Sequence, residues 1–298
     1  MDQLSFERIA FNYRLSPDNL RRHPKFTEVR NRMVEGILAV YAGDHLTNRL
    51  LLEQGRHMSF LTVLCLHAAQ DPNTPSTWLT LGKLQREITE HGFASRNRVE
   101  AQVSALKKYG LLAQQPQAAD RRIRLLQPTA KMLARDASVV RLQLAALAEL
   151  EGDPSAFNSV LSPDFHRAIR RASVERLQDI DMLMHSHSKL SAFFDHDCGY
   201  LILLILLSNA AKNGGMRANT CFQRLATQTG VSRTHVRRLL EAVRDKGLLS
   251  FSGRGGHDIQ LTPAMWDVAD QWFAEELAMV ELIAGEARAE RAGGKIAA

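Results

Sequence analysis

One stretch of this chain occurs twice. Ser95–Leu112 reads SRNRVEAQVSALKKYGLL and Ser232–Leu249 reads SRTHVRRLLEAVRDKGLL, an offset of 137 residues that carries Ser95 onto Ser232. Seven of the 18 paired positions are identical, where unrelated segments would share roughly one. A duplication restricts the architecture more than any composition figure does, because each copy must build the same small unit.

The likeness extends outward in both directions. Downstream, Leu126-Gln127-Pro128 matches Leu261-Thr262-Pro263 at an offset of 135, so the second connecting segment is two residues shorter. Length changes of that kind belong in an exposed loop. Upstream, the apolar runs Phe60–Ala69 and Tyr200–Ala211 correspond, and Phe26–Arg32 has a looser echo in Phe165–Arg171. The turn-forming residues Glu151–Ser155 interrupt two helical patterns, which predicts one repeat over residues 1–150 and a second over 151–298. At 298 residues the chain can bury a core in each.

In the second copy Phe222, Leu225 and Ala226 recur at helical spacing, and Thr229-Gly230-Val231-Ser232-Arg233 follows. Gly230 can take the positive φ of a sharp exit from a helix, and Ser232 is placed to cap the next one. Val236, Leu240 and Val243 then share one face, and Gly247 ends that helix. Leu249, Phe251, Ile259 and Leu261 flank a Gly-Arg-Gly-Gly tip, the pattern of a two-stranded hairpin. The first copy repeats this plan. Leu81, Leu84 and Ile88 precede Gly92–Ser95, Val99, Val103 and Leu106 follow, and Leu111–Leu126 forms the hairpin. The expectation is a mainly α protein with two winged helix-turn-helix domains. Their helical pairs fall at about 79–112 and 218–249, and their β-hairpin wings at about 111–127 and 248–262. Helices over Thr27–Ala42, Ser173–Met184 and Pro263–Ala284 would pack the copies together about an internal pseudo-twofold or dimerise the chain. The Ala-, Arg- and Gly-rich tail from Gly285 is expected to be flexible.

The turn-Ser-Arg helix, its Gly-Leu-Leu ending, the basic-tipped wing and the long helix afterwards resemble the winged-helix regulators of the MarR (multiple antibiotic resistance regulator) type. That resemblance covers roughly Met58–Met132 and Gly199–Met279. It implies a sequence-specific regulator of transcription acting on double-stranded DNA. Such proteins are usually one domain per chain, so the symmetric partner would here be covalent. No motif defines an effector pocket, so a small-molecule effector stays open, as does a monomeric pseudo-dimer against a homodimer.

Residues near a recognition helix's N-terminus read base edges, and other basic groups hold the backbone. In the first copy this singles out Ser95, Arg96, Asn97, Arg98, Ser104 and Lys108, with Arg121 and Arg122 at the wing tip. In the second it singles out Ser232, Arg233, Thr234, His235, Arg237 and Arg238, with Arg254 and His257 at the wing. Arginine pairs bidentately with guanine and asparagine with adenine. Glu100 and Ala101 stand where the second copy has Arg237 and Arg238, so unequal half-sites and an imperfect inverted repeat are expected. A net charge of +6 suits a phosphate-binding surface.

Other chemistries find less support. The sequence has no GxSxG, no GxxxxGK and no GxGxxG after a strand, so neither an enzyme nor a cofactor is expected. His185, His187, Asp195, His196, Asp197 and Cys198 could ligate a metal, but without a recurrent ligand spacing they read as surface or structural residues. Cys65, Cys198 and Cys221 lack a repeated spacing, as in a reducing cytoplasm, and read as core or incidental thiols. The residues Met1–Leu4 show no secretory signal, and the run Tyr200–Leu207 is too short to cross a bilayer. Two further functions compete with the regulator. One is a plasmid-type replication initiator with paired winged helices. The other is a protein-interaction module, which the arginines Arg233, Arg237 and Arg238 disfavour.

Overall fold

The computed structural model describes residues 11–117, 120–152 and 162–293. In the first half these form α1 (Pro17–Arg22), α2 (Phe26–Tyr41), α3 (His45–Leu51), α4 (Gln54–Ala69), α5 (Leu81–Glu90) and α6 (Arg96–Lys108). A hairpin of β1 (Leu112–Pro116) and β2 (Arg124–Pro128) leads into α7 (Ala130–Glu151). In the second half come α8 (Pro163–Ala172), α9 (Leu177–Ser186), α10 (Ser191–Phe194), α11 (Gly199–Lys212), α12 (Phe222–Thr229) and α13 (Arg233–Asp245). The hairpin of β3 (Leu249–Ser252) and β4 (His257–Leu261) then feeds α14 (Pro263–Arg291). The fold is therefore mainly helical, with two separate antiparallel two-stranded sheets.

The duplication reaches the hydrogen bonds. The Thr129 hydroxyl caps α7 at Met132 N and also donates to Gly110 O at 2.8 Å. Thr262 caps α14 at Met265 N and donates to Gly247 O at 2.9 Å. An isolated antiparallel bridge joins Thr80 to Leu125 in one half and Arg217 to Gln260 in the other. Each hairpin is thus pinned to the segment before its first helix and to the cap of the helix after it. The hairpins differ in regularity, since β1 and β2 pair without interruption while β3 and β4 shift register between Ser250 and Ser252.

Two helices are apolar nearly all round and sit centrally, as such helices must. They are α4, with Met58 to Leu66 buried without a break, and α11, with Leu201 to Ser208 likewise buried. The halves exchange helices across them: α2 packs on α7 and on α11 of the other half, while α8 packs on α14 and on α4 of the other half. One continuous apolar core results, running from Leu20 to Ala287. Polar ties cross the same boundary, among them Lys212 to Glu35 at 2.8 Å, Arg21 to Asp267 at 2.6 Å and the buried Arg30 to Asp270.

Two expectations need correction, and the cysteines divide between core and half-buried positions. The tail does not loosen at Gly285, because α14 runs on to Arg291 with Ala287 buried and Arg288 and Arg291 lying over the Phe165 ring. The helix expected over Ser173–Met184 begins later, at Leu177, behind a 3-10 turn over Ser173–Arg176. Cys221 is only half-buried, while Cys65 and Cys198 are buried and their thiols are pushed up to about 12 by burial. In the first half α7 ends at Glu151 with Gly152 in the left-handed region at φ 71°. The rest of the expected boundary, Asp153–Ser155, lies outside the described residues, as do Met1–Leu4.

Candidate nucleic-acid interface

The second copy presents the more complete surface. Gly230 closes α12 at φ 73°, and the Ser232 hydroxyl accepts from His235 N at 3.1 Å, so α13 starts with one of its orphan donors satisfied. Val236, Leu239, Leu240 and Val243 bury one side of α13. Arg233, Thr234, Arg237 and Arg238 are exposed on the rest. Arg237 pairs with Glu241 at 2.8 Å one turn along the helix, an exposed bridge of the kind that contributes little to stability. Arg238 makes no hydrogen bond or ion pair to a described residue.

The β3–β4 hairpin is fastened to that helix start. The Arg233 guanidinium donates to Arg254 O at 3.2 Å, and Phe222 N donates to Gly255 O at 3.2 Å. Gly256, at φ 61°, leaves no room for a side chain because a Cβ there would overlap the Phe222 ring. Phe251 meets the same ring edge-on at 5.0 Å. Arg254 and His257 are exposed at the tip, so helix start and hairpin tip form one basic surface.

His235 is not part of it. Its Nε2 lies 3.0 Å from Asp197 O, its ring stands 5.8 Å from that of His196, and burial lowers its pKa. The ring faces the loop before α11, and only the backbone N–H of His235 serves the helix start, through Ser232.

The first copy exposes Arg96, Asn97, Arg98, Ser104 and Lys108, with Arg121 and Arg122 between β1 and β2. Ser95 takes the extended N-cap conformation, but its hydroxyl makes no cap hydrogen bond. Arg98 is held at 3.0 Å by Glu53, which also caps α4 through Gly55 N and Arg56 N. Lys108 lies 5.9 Å from the Tyr109 ring centre, and Arg122 N donates to the Asp120 carboxylate at 2.9 Å. This face is less free and less positive than the other.

A polar chain joins the two helix starts. From Arg98 it passes through Glu53 to Arg56, whose Nη1 donates to the Asp197 carboxylate at 2.8 Å, and the Asp197 carbonyl meets His235. No local pattern could have revealed it, because its long steps span 45, 141 and 38 residues. Sequence reasoning also passed over Arg86 on α5 and Arg224 on α12, both exposed on the first helix of each pair.

The acid and histidine cluster near α11 disperses to separate partners. His185 goes to Asp181, His187 to Glu275 at 2.9 Å and Asp197 to Arg56. Among the described residues no three potential ligands converge on a metal position, and no helix is long and apolar enough to cross a membrane. Compared with family models, curated proteins and solved structures, the chain matches nothing.

Proposed function

We propose that this protein is a sequence-specific double-stranded DNA-binding regulator of transcription, built as two MarR-like winged helices fused about an internal pseudo-twofold. The observation that carries this reading is the second basic surface. A capped helix buries one side, presents Arg233, Thr234, Arg237 and Arg238 on the rest, and is hydrogen-bonded to a wing tip bearing Arg254. The helix would enter the major groove, with Arg237 and Arg238 reading guanine or gripping phosphate, and the wing would meet the adjacent backbone. Arg86 and Arg224 would hold phosphates from the crossing helices.

The repeated hydrogen bonds at Thr129 and Thr262 and the exchanged helix contacts support the pseudo-dimeric arrangement. Unequal faces make the natural site an imperfect inverted repeat. The protein would act in the cytoplasm and catalyse no reaction.

Selection from a random duplex library at near-physiological salt tests this, with wild type run beside Arg237→Ala/Arg238→Ala and Arg96→Ala/Arg98→Ala. An enriched imperfect inverted repeat, with one half-site lost in each double variant, is the expected result. Each lost bidentate base contact should cost about 1–3 kcal/mol. Clustered direct repeats would favour a replication initiator instead. Weak binding that vanishes with salt and ignores both double variants would leave the protein-interaction module.

A further inference from the structure

Between the halves lies a cavity of about 170 Å³, walled by residues of α2, α3, α4, α7, α8, α9, α10, α11 and α14. A comparable apolar cavity, about 150 Å³, takes up one benzene ring. Most of the wall is aliphatic or aromatic, with Leu61, Val139, Leu183 and Phe194 representative. Apolar space of this size between helices is where small ligands bind.

Its charges are the informative part. Arg170 is neutralised by Asp136 at 2.7 Å, Arg135 by Asp44 at 3.4 Å, and Glu53 by Arg98 at 3.0 Å. Glu276, on α14, has no such cation. Its Oε1 accepts a hydrogen bond from Gln143 Nε2 at 2.9 Å, and its Oε2 is cut off from water without any partner. Nearby, the Tyr200 hydroxyl and the Trp272 indole N–H approach one another without reaching good hydrogen-bond geometry. An unpaired buried carboxylate is costly, and desolvation accordingly pushes Glu276 up to about 7, only partly opposed by the Gln143 hydrogen bond. Glu276, which lines the cavity, is thus left with one carboxylate oxygen that the fold does not satisfy.

We infer that this cavity binds a small organic cation, a single ring carrying a protonated amine, with the ammonium against Glu276 Oε2 and the ring among Phe194, Tyr200 and Trp272. The ammonium would complete the missing ion pair in a low-dielectric setting, and the aromatic faces suit a cation. A carboxylate-bearing ligand would instead place a second negative charge beside Glu276. The remaining titratable groups at the wall are Tyr41, whose phenol burial pushes up to about 12, and His57, which burial lowers to about 4. Neither offers a cation at neutral pH. This binding is independent of the DNA reading, so either can fail alone.

The test is calorimetric titration of the full chain with 2-phenylethylamine, 2-phenylethanol and 3-phenylpropanoate at pH 8 and at pH 5.5. The amine keeps its proton throughout, so the pH change acts on Glu276. At pH 8 the amine should bind at least about tenfold more tightly than the alcohol or the acid. That preference should collapse at pH 5.5 and also in Glu276→Gln. No amine binding, equal binding of all three compounds, or a preference surviving in Glu276→Gln would each overturn the inference. If Glu276→Gln fails to fold, the wild-type pH series decides alone.

Discussion

Asp136 accepts two hydrogen bonds from Arg170, each 2.7 Å long, and a third from His166 at 2.7 Å. Asp136 lies on α7 and Arg170 on α8, so this triad joins the two halves inside the core. Desolvation alone would raise the Asp136 carboxyl, but the guanidinium beside it and the two donors hold it down at about 2. Asp136→Ala strands a buried guanidinium and should cost about 3–5 kcal/mol in urea unfolding. Because the folded-state pKa is depressed, the wild-type contribution is complete above the ordinary aspartate value. It is then lost as pH falls through about 2. Its share should be seen as a stability gap between wild type and Asp136→Asn that closes on acidification below pH 4.

Glu276 has the opposite sign. Its pKa rises from 4.5 to about 7, so the folded state favours the proton, and this site's contribution to stability declines as pH climbs from 4.5 past 7. Glu276→Gln should therefore unfold at higher denaturant than wild type at pH 8, by at most about 3 kcal/mol. The difference should disappear near pH 4. A gap that is the same at both pH values would show that Glu276 is not desolvated as described.

Two glycines between β3 and β4 separate backbone strain from crowding. Gly253 has φ 64° with open space around it, whereas Gly256 has φ 61° and is pressed on the Phe222 ring. Gly253→Ala should lose about 1–2 kcal/mol from the left-handed backbone alone. Gly256→Ala should lose about 1–3 kcal/mol more through overpacking. Thermal melting of the two variants gives the comparison directly, and equal shifts would contradict it.

Glu53 restrains Arg98. On the proposed DNA-binding reading, Glu53→Gln keeps a carbonyl to cap α4 but removes the charge that would compete with DNA phosphate. In salt titrations of duplex binding the variant should gain about one unit of slope, the signature of one additional phosphate contact. An unchanged slope would mean that Arg98 does not touch the backbone.

Local features were legible in the sequence because their determinants sit within a few residues of one another. Gly230, Ser232 and the Val236/Leu240/Val243 stripe define the start and face of α13 without outside help, and the two hairpins follow from their flanking apolar residues. His235 went astray for the complementary reason. Its ring is claimed by Asp197 from another segment, and nothing adjacent encodes that. The Ala-, Arg- and Gly-rich composition from Gly285 suggested a loosening near the chain end, and Gly285 itself costs a helix about 1 kcal/mol. Burial of Ile283, Ala284 and Ala287 around it outweighs that penalty. The cavity was invisible for a similar reason, since Glu276 acquires its character from Gln143, Tyr200 and other residues far away in the chain.

The exchange of helices between the halves also dictates an order of events during synthesis. The side of α4 that meets α8 waits for that helix, and α2 waits for α11, which emerges later still. The usual sequence, in which an N-terminal domain closes before the next one appears, is therefore denied to this chain. The first half must leave the ribosome with an apolar flank uncovered, and slowing translation between Gly152 and Gly199 would lengthen the interval in which that flank can meet another nascent chain.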